Sequence, residues 1–121
     1  MAATIEKLIR SCFAAYVAKD REAIEALLAD DFHFTSPLDN RIDRTTYFEV
    51  CWPNSERMDG FDIERICVDG DRAFVTYEGR MGSKRFRNTE VHTVRGNRIA
   101  EVEVYFGWSV PHPVKPGKHK G

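Results

Sequence analysis

The chain has 121 residues, 42% of them hydrophobic and 31% charged, which fits one globular domain around a single core and predicts no second one. Net charge is -1, and no block of like charges stands outside Lys115, Lys118, His119 and Lys120, so no basic surface for nucleic acid is expected. Met1-Ala2-Ala3-Thr4 leads into a segment holding Glu6, Lys7 and Arg10, which is neither a secretory h-region nor a span of ~20 apolar residues, so a soluble, cytoplasmic protein with no membrane partner is expected.

Ile5, Leu8, Ile9, Cys12, Phe13, Tyr16 and Val17 recur at helical spacing, and Thr4 suits an N-cap, so residues 4–18 are predicted as an amphipathic helix. Asp20 is a cap for a second helix, Arg21 to Ala29, with Ile24, Leu27 and Leu28 as its inner stripe and Asp30-Asp31 as its solvated end. Phe32 to Thr35 alternates as a first strand, with His33 turned away from Phe32 and Phe34. Ser36 to Asn40 reads as a turn or loop, and Asp43 as the cap of a third helix ended by Pro53, with Trp52 at the stop. From Gly60 the pattern changes to strands: Phe61 to Val68, an Asp69-Gly70 hairpin signal, Arg72 to Arg80, a Met81-Gly82-Ser83 turn, then Phe86 to Val94 and Ile99 to Phe106 across Gly96-Asn97. Gly107 to Gly121, with Pro111, Pro113 and Pro116, reads as an extended tail. Cys12, Cys51 and Cys67 are odd in number and set in apolar patterns, so they read as reduced thiols in or near the core rather than a disulfide or zinc framework.

Helices first and antiparallel strands afterwards predict an α+β domain whose helices cover one face of a strongly bent sheet. Phe61, Ile63, Cys67, Ala73, Val75 and Tyr77 alternate with Ile66, Val68 and Phe74, so parts of both faces should be covered, one by the helices and the other by a second copy of the chain.

The closing hairpin concentrates the titratable chemistry. Glu90 and His92 lie two apart on one strand, on one side and about 6–7 Å apart by strand rise, close enough to share a proton as general base and acid. The register stays open between two readings. A two-residue turn pairs Arg95 with Arg98 and sets Glu90 opposite Glu103 and His92 opposite Glu101; a three-residue loop with a bulge pairs Val94 with Arg98 and groups Glu90 and His92 with Val102, Val104 and Phe106.

The element order, together with FAAYVAKDREAIEALLADDFHFTSP, RFRNTEVHTV and IAEVEVYFG, resembles the nuclear transport factor 2-like superfamily, nearest its SnoaL-like and ketosteroid isomerase-like branch. The resemblance spans roughly residues 4–108. It implies one cone-shaped domain over 1–108, three N-terminal helices on a strongly curved, mixed but mostly antiparallel sheet enclosing a pocket, followed by a tail over 109–121. Members include isomerases, polyketide cyclases, hydratases and noncatalytic binding modules. The isomerases' general-base Asp falls at Ser36, before Pro37; their first-helix Tyr falls at Cys12, with Tyr16 one turn on; their second acid falls at Glu90. Steroid-type isomerisation is therefore not expected. The cavity acid and neighbouring His of SnoaL-like cyclases find their nearest equivalent in Glu90 and His92, and the resemblance favours the bulged register, with Glu101 and Glu103 turned outward to Arg85, Arg87 or a partner subunit.

Tyr16, Phe34, Tyr47, Trp52, Phe74 and Phe106 are candidates to line an aromatic pocket for a flat apolar ligand, beside Ser36. No spaced ligand triad predicts a metal, and Ser36, Cys12 and Cys51 lack the His and acid of a nucleophilic triad. The expectation is a homodimeric protein that binds a small hydrophobic molecule. Its catalytic pair would be Glu90 and His92, working without a cofactor as an isomerase, cyclase or dehydratase on a carbonyl compound; the alternative is a noncatalytic ligand-binding or dimerisation module.

Overall fold

Alanines extend the first helix, α1 (Ala2–Ala18), so that it begins ahead of Thr4, which stands inside the helix rather than at its cap. The structure, a computed structural model, describes residues 2–117; the last four residues of the tail lie outside the described residues. Ile9, Phe13 and Ala15 form the buried stripe of α1. Lys19 then takes a left-handed conformation (φ 59°) while the Asp20 amide donates to the Ala15 carbonyl at 2.9 Å, closing the helix and reversing the chain. Asp20 accepts from the Ala23 amide at 3.2 Å and so caps α2 (Arg21–Leu27).

The second helix is shorter than its spacing predicts. Leu28 is already extended (φ -94°, ψ 139°), and the strand β1 (Leu28–Ser36) begins there, with Leu28 paired to Ile99. Leu28 and Ala29 are buried, so joining the sheet outweighs the helix propensity of the alanine- and leucine-rich segment. Asp30 and Asp31 consequently sit on a strand, facing Arg98 and Arg95, rather than at a helix end. The turn predicted over Ser36 to Asn40 contracts to Pro37-Leu38, and a polar edge strand, β2 (Asp39–Asp43), follows. Its polarity concealed it: a short, charged edge resists pairing with another chain and shows no apolar alternation.

Asp43 caps α3 (Arg44–Val50) through the Thr46 amide at 2.9 Å, and a single 3-10 turn, Trp52–Arg57, follows with Pro53 in its first turn. The remaining strands are β3 (Gly60–Asp69), β4 (Arg72–Met81), β5 (Lys84–Arg95) and β6 (Arg98–Ser109), the last reaching three residues beyond Phe106. They form one open six-stranded sheet in the order β2-β1-β6-β5-β4-β3, antiparallel throughout except where β1 runs parallel to β6. The fold is therefore α+β, three helices against a mixed sheet.

Bulges interrupt the ladders in β1, β3, β5 and β6 and bend the sheet. Its concave face packs on the helices through Phe32, Ala73, Val75, Tyr77 and Ile99, which meet Ile9 and Phe13 of α1 and Tyr47 and Phe48 of α3. Gly79 serves this curvature: a side chain there would collide with the Phe86 ring, which crosses β4 on the concave side. The convex face shows Phe74 and Tyr105 to solvent, and Cys67, expected in or near the core, is exposed there. Among the described residues, no helix is long and apolar enough to cross a membrane.

Candidate functional site

The closing hairpin combines features of both predicted registers. Its turn is the two-residue one, with Arg95 opposite Arg98 and Val94 opposite Ile99, but an extra residue, Ala100, shifts the ladder before Glu101 meets Thr93. Ile99 and Ala100 are consecutive and both buried, the mark of a bulge that leaves two residues opposite one. Beyond it His92 faces Val102 and Glu90 faces Val104, so the acid and imidazole share the concave face with valines. Glu101 and Glu103 turn to the convex face, but not to the expected arginines: Arg85 pairs with Glu78, and Arg87 with Glu64 at 2.6 Å.

A cavity of about 530 Å³ opens between α1, α3 and the concave face. His92 lies deep in it, 1% exposed, with its ring 6.0 Å from that of Phe13. His92 Nε2 and Glu90 Oε1 are 2.9 Å apart, and the Tyr77 hydroxyl donates to Glu90 Oε2 at 2.7 Å. Asn88 donates its Nδ2 to the Tyr77 oxygen at 3.3 Å, while its Oδ1 accepts from the Gly107 amide at 3.2 Å. Gly107 permits this approach because a side chain there would strike the Arg87 carbonyl. The chain of bonds holds Glu90 from both oxygens. Burial, then the neighbouring Glu90 charge, pushes the Tyr77 hydroxyl well above its ordinary range, so it remains a protonated donor.

The tautomer that satisfies this network carries its proton on Nε2 and leaves Nδ1 as a lone-pair acceptor; Nδ1 is sealed within the protein and has no partner among the described residues. Glu90 is the member of the pair that reaches the cavity, with its side chain 14% exposed against 2% for His92, so an acid-base exchange with a bound molecule runs through its carboxyl, held by His92. Cys12 also lines the cavity; burial and then the Glu90 charge push its thiol up to about 12.

Tyr16, Phe34, Ser36 and Phe106 all line the cavity, Phe106 at its half-exposed rim, and so does Tyr47. Two expected lining residues do not. Phe74 lies between the inward Ala73 and Val75 and therefore projects from the opposite, convex face. Trp52 stands behind the wall, edge-on to Tyr16 at 5.4 Å and beside Phe48 at 6.1 Å, bracing the aromatic that does face the cavity. Tyr16 donates to the Cys51 carbonyl at 3.3 Å.

Sequence reasoning missed a second carboxylate. Asp39, taken for a turn residue, lines the cavity from β2, with Ser36 Oγ donating to its Oδ2 at 2.8 Å and Cys51 Sγ 3.9 Å away. The available signal was Ser36 and Asp39 flanking Pro37-Leu38, a spacing that brings them opposite each other in a tight hairpin, as their pairing shows. Trp108 and Leu38 complete an apolar rim, half or more exposed. Among the described residues, no three His, Cys, Asp or Glu side chains are grouped to hold a metal.

A family model described as the SnoaL-like domain matches residues 9–102. No curated protein matches the chain. An NTF-2 like protein of unknown function from Burkholderia xenovorans LB400 superposes with a TM-score of 0.79 at 18% identity, covering 96% of this chain and 89% of that one. A candidate ketosteroid isomerase from Kribbella flavida gives 0.77 at 21% identity, covering 97% and 84%. An LEH-like epoxide hydrolase from M. tuberculosis gives 0.66 at 26% identity, covering 84% and 80%. With its sequence matched over most of its length by that model, the chain belongs to the SnoaL-like domain family.

Proposed function

We propose that this protein binds a small hydrophobic carbonyl compound in the cavity and acts on it by acid-base chemistry without a cofactor, as an isomerase, cyclase or dehydratase. The observation that carries this reading is Glu90, held through one oxygen by Tyr77 and through the other by the buried His92, in a cavity lined mainly by apolar side chains. A volume of about 530 Å³ falls within the ~300–1,000 Å³ of small-molecule sites. Glu90, the more accessible member of the pair, takes the proton from the carbon beside the carbonyl, and His92 and Tyr77 hold its carboxyl in place. Tyr47 lines the cavity and its hydroxyl makes no hydrogen bond among the described residues, so it serves as the donor for negative charge developing on the carbonyl oxygen. Ser36 stands where the family's isomerases carry their base, which moves the proton-accepting role to the other side of the cavity.

Ligand capture tests the reading: the purified protein is denatured, the released compounds are identified by mass spectrometry, and aromatic ketones are screened by thermal shift. Glu90→Gln and His92→Phe should retain binding of the captured compound and lower turnover by about 10²–10⁴-fold, the scale of general acid-base catalysis. Equal turnover in wild type and both variants would defeat it.

Pairing with a second copy, expected under the catalytic and the noncatalytic reading alike, draws support from the convex face, where Phe74 is 39% and Tyr105 55% exposed. An apolar surface at the centre of the sheet suits a second copy of this chain. Sedimentation should then show a dimer that Phe74→Glu together with Tyr105→Glu converts to a monomer. A monomeric wild type removes that support.

A further inference from the structure

The lining of the cavity has a marked charge imbalance. Asp39 and Glu90 contribute two carboxylates and His92 one imidazole, and among the described residues no Lys or Arg lines the cavity, so its charge is negative whether or not His92 carries an extra proton. Lys19 turns to the carbonyls of Val17 and Met58, and Arg57 to Asn54 Oδ1.

Most of the hydroxyl protons in the lining are also committed. Tyr16 donates to the Cys51 carbonyl, Tyr77 to Glu90 and Ser36 to Asp39. What the walls offer in return are lone pairs. Asp39 receives its partners on Oδ2; among the described residues its Oδ1 accepts no hydrogen bond and the side chain forms no ion pair. His92, 1% exposed, turns Nε2 to Glu90 and so brings no free donor to the cavity.

Resting on the reading of this cavity as a small-molecule site, we propose that the compound it takes carries a protonated amine, seated on Asp39 near the mouth while its reacting group reaches Glu90. An ammonium on a carboxylate forms a charge-assisted hydrogen bond, stronger than a neutral one. Phe34 projects from the same side of β1 as Ser36, and its ring stands 5.2 Å from that of Tyr47, so aromatic faces near Asp39 add cation–π attraction. An anionic ligand instead brings a third negative charge to a site with no cation to receive it, and is excluded by repulsion.

Three probes on one skeleton separate the possibilities: naphthylethylamine, naphthylethanol and naphthylacetate, titrated calorimetrically at neutral pH into wild type and Asp39→Asn. The amine should bind about tenfold more tightly than the alcohol, a gap of roughly 1.4 kcal/mol, and the acid least. In Asp39→Asn the gap should close while the alcohol's affinity holds. Should that variant fail to fold, wild type in rising salt decides, since screening must narrow the amine-over-alcohol gap and leave the alcohol unaffected. If the alcohol matches the amine, or the acid binds best, the amine proposal is overturned while the cavity reading stands. If none of the three binds, both fall.

Discussion

Glu90 and Glu103 belong to neighbouring strands of the same hairpin, one opposite Val104 and the other opposite Val91, yet they meet different surroundings. On the concave face Glu90 is held through both oxygens, by Tyr77 and His92. On the convex face Glu103 makes no hydrogen bond or ion pair among the described residues. Side-chain period assigns each residue to a face relative to its neighbours, but it does not say which face is the inner one. That is decided by the bulge at Ala100, which absorbs one residue of β6 so that a two-residue turn coexists with inward-facing Val102 and Val104.

Placing acids at the inward positions gives the most severe test of the comparison. Val102→Glu together with Val104→Glu sets two carboxylates on the concave face, opposite His92 and Glu90. Burying each carboxylate costs several kcal/mol, and two such penalties approach the ~5–15 kcal/mol that holds a domain together. Circular dichroism should show no cooperative melt for the double variant, whereas deletion of Ala100, which leaves Glu101 opposite Thr93 and so keeps both faces, should still melt cooperatively. A melt like that of wild type for the double variant would show that these two positions do not face the interior.

Truncating one acid at a time sharpens the contrast. Glu90→Ala leaves the Tyr77 hydroxyl and His92 Nε2 without their acceptor in a buried setting, a loss of about 2 kcal/mol in urea titration. Glu103→Ala should change stability by less than about 0.5 kcal/mol, as for other surface substitutions. Equal losses would erase the distinction between the faces.

The helical part of this architecture was legible because its signals are local. The stripe Ile9 and Phe13, the caps Asp20 and Asp43 and the alternation of β4 need no partner to be read, and each stands where its pattern placed it. What stayed hidden depends on distant pairing. Leu28 and Ala29 leave the helix because Leu28 meets Ile99, a strand some seventy residues away in sequence. Strand β2 is polar and exists by pairing with β1, so its Asp39 entered the cavity unannounced. Glu90 and His92 were found because two residues on one strand share a side whatever the register, whereas Tyr77 and Asn88, which complete their network, face each other across β4 and β5. Phe74 was misplaced for the opposite reason: an aromatic residue reads as core by composition, and only its buried neighbours Ala73 and Val75 turn it outward.

The cysteines carry the same comparison into reactivity. Cys12 lines the cavity with its thiol pushed up to about 12 by burial and then by Glu90, and Cys51 is pushed to about 12 by burial and then by Asp39; Cys67 is exposed on the convex face. Alkylation proceeds through the thiolate, so at mildly alkaline pH iodoacetamide should modify Cys67 first, with the other two reacting only after denaturation. Peptide mass spectrometry locates the adduct. Early labelling of Cys12 in folded protein would mean that the cavity opens far more readily than this geometry allows.

The smallest effect belongs to the ion pair at the hairpin's solvated end, where Arg95 bonds Asp31 with both side chains more than half exposed. The Arg95 bond holds the Asp31 carboxyl below its ordinary range. A carboxyl lowered on folding contributes stability above its unfolded value and loses it as pH falls through the folded one, so whatever this pair adds disappears in acid. Exposure to competing water keeps the contribution slight, and salt removes most of it. Asp31→Ala should therefore melt with wild type at neutral pH in high salt and differ from it only marginally in low salt. A clear destabilisation at high salt would mean that Asp31 acts through packing or local backbone structure, and the contrast with the buried Glu90–His92 pair would no longer be one of solvent access alone.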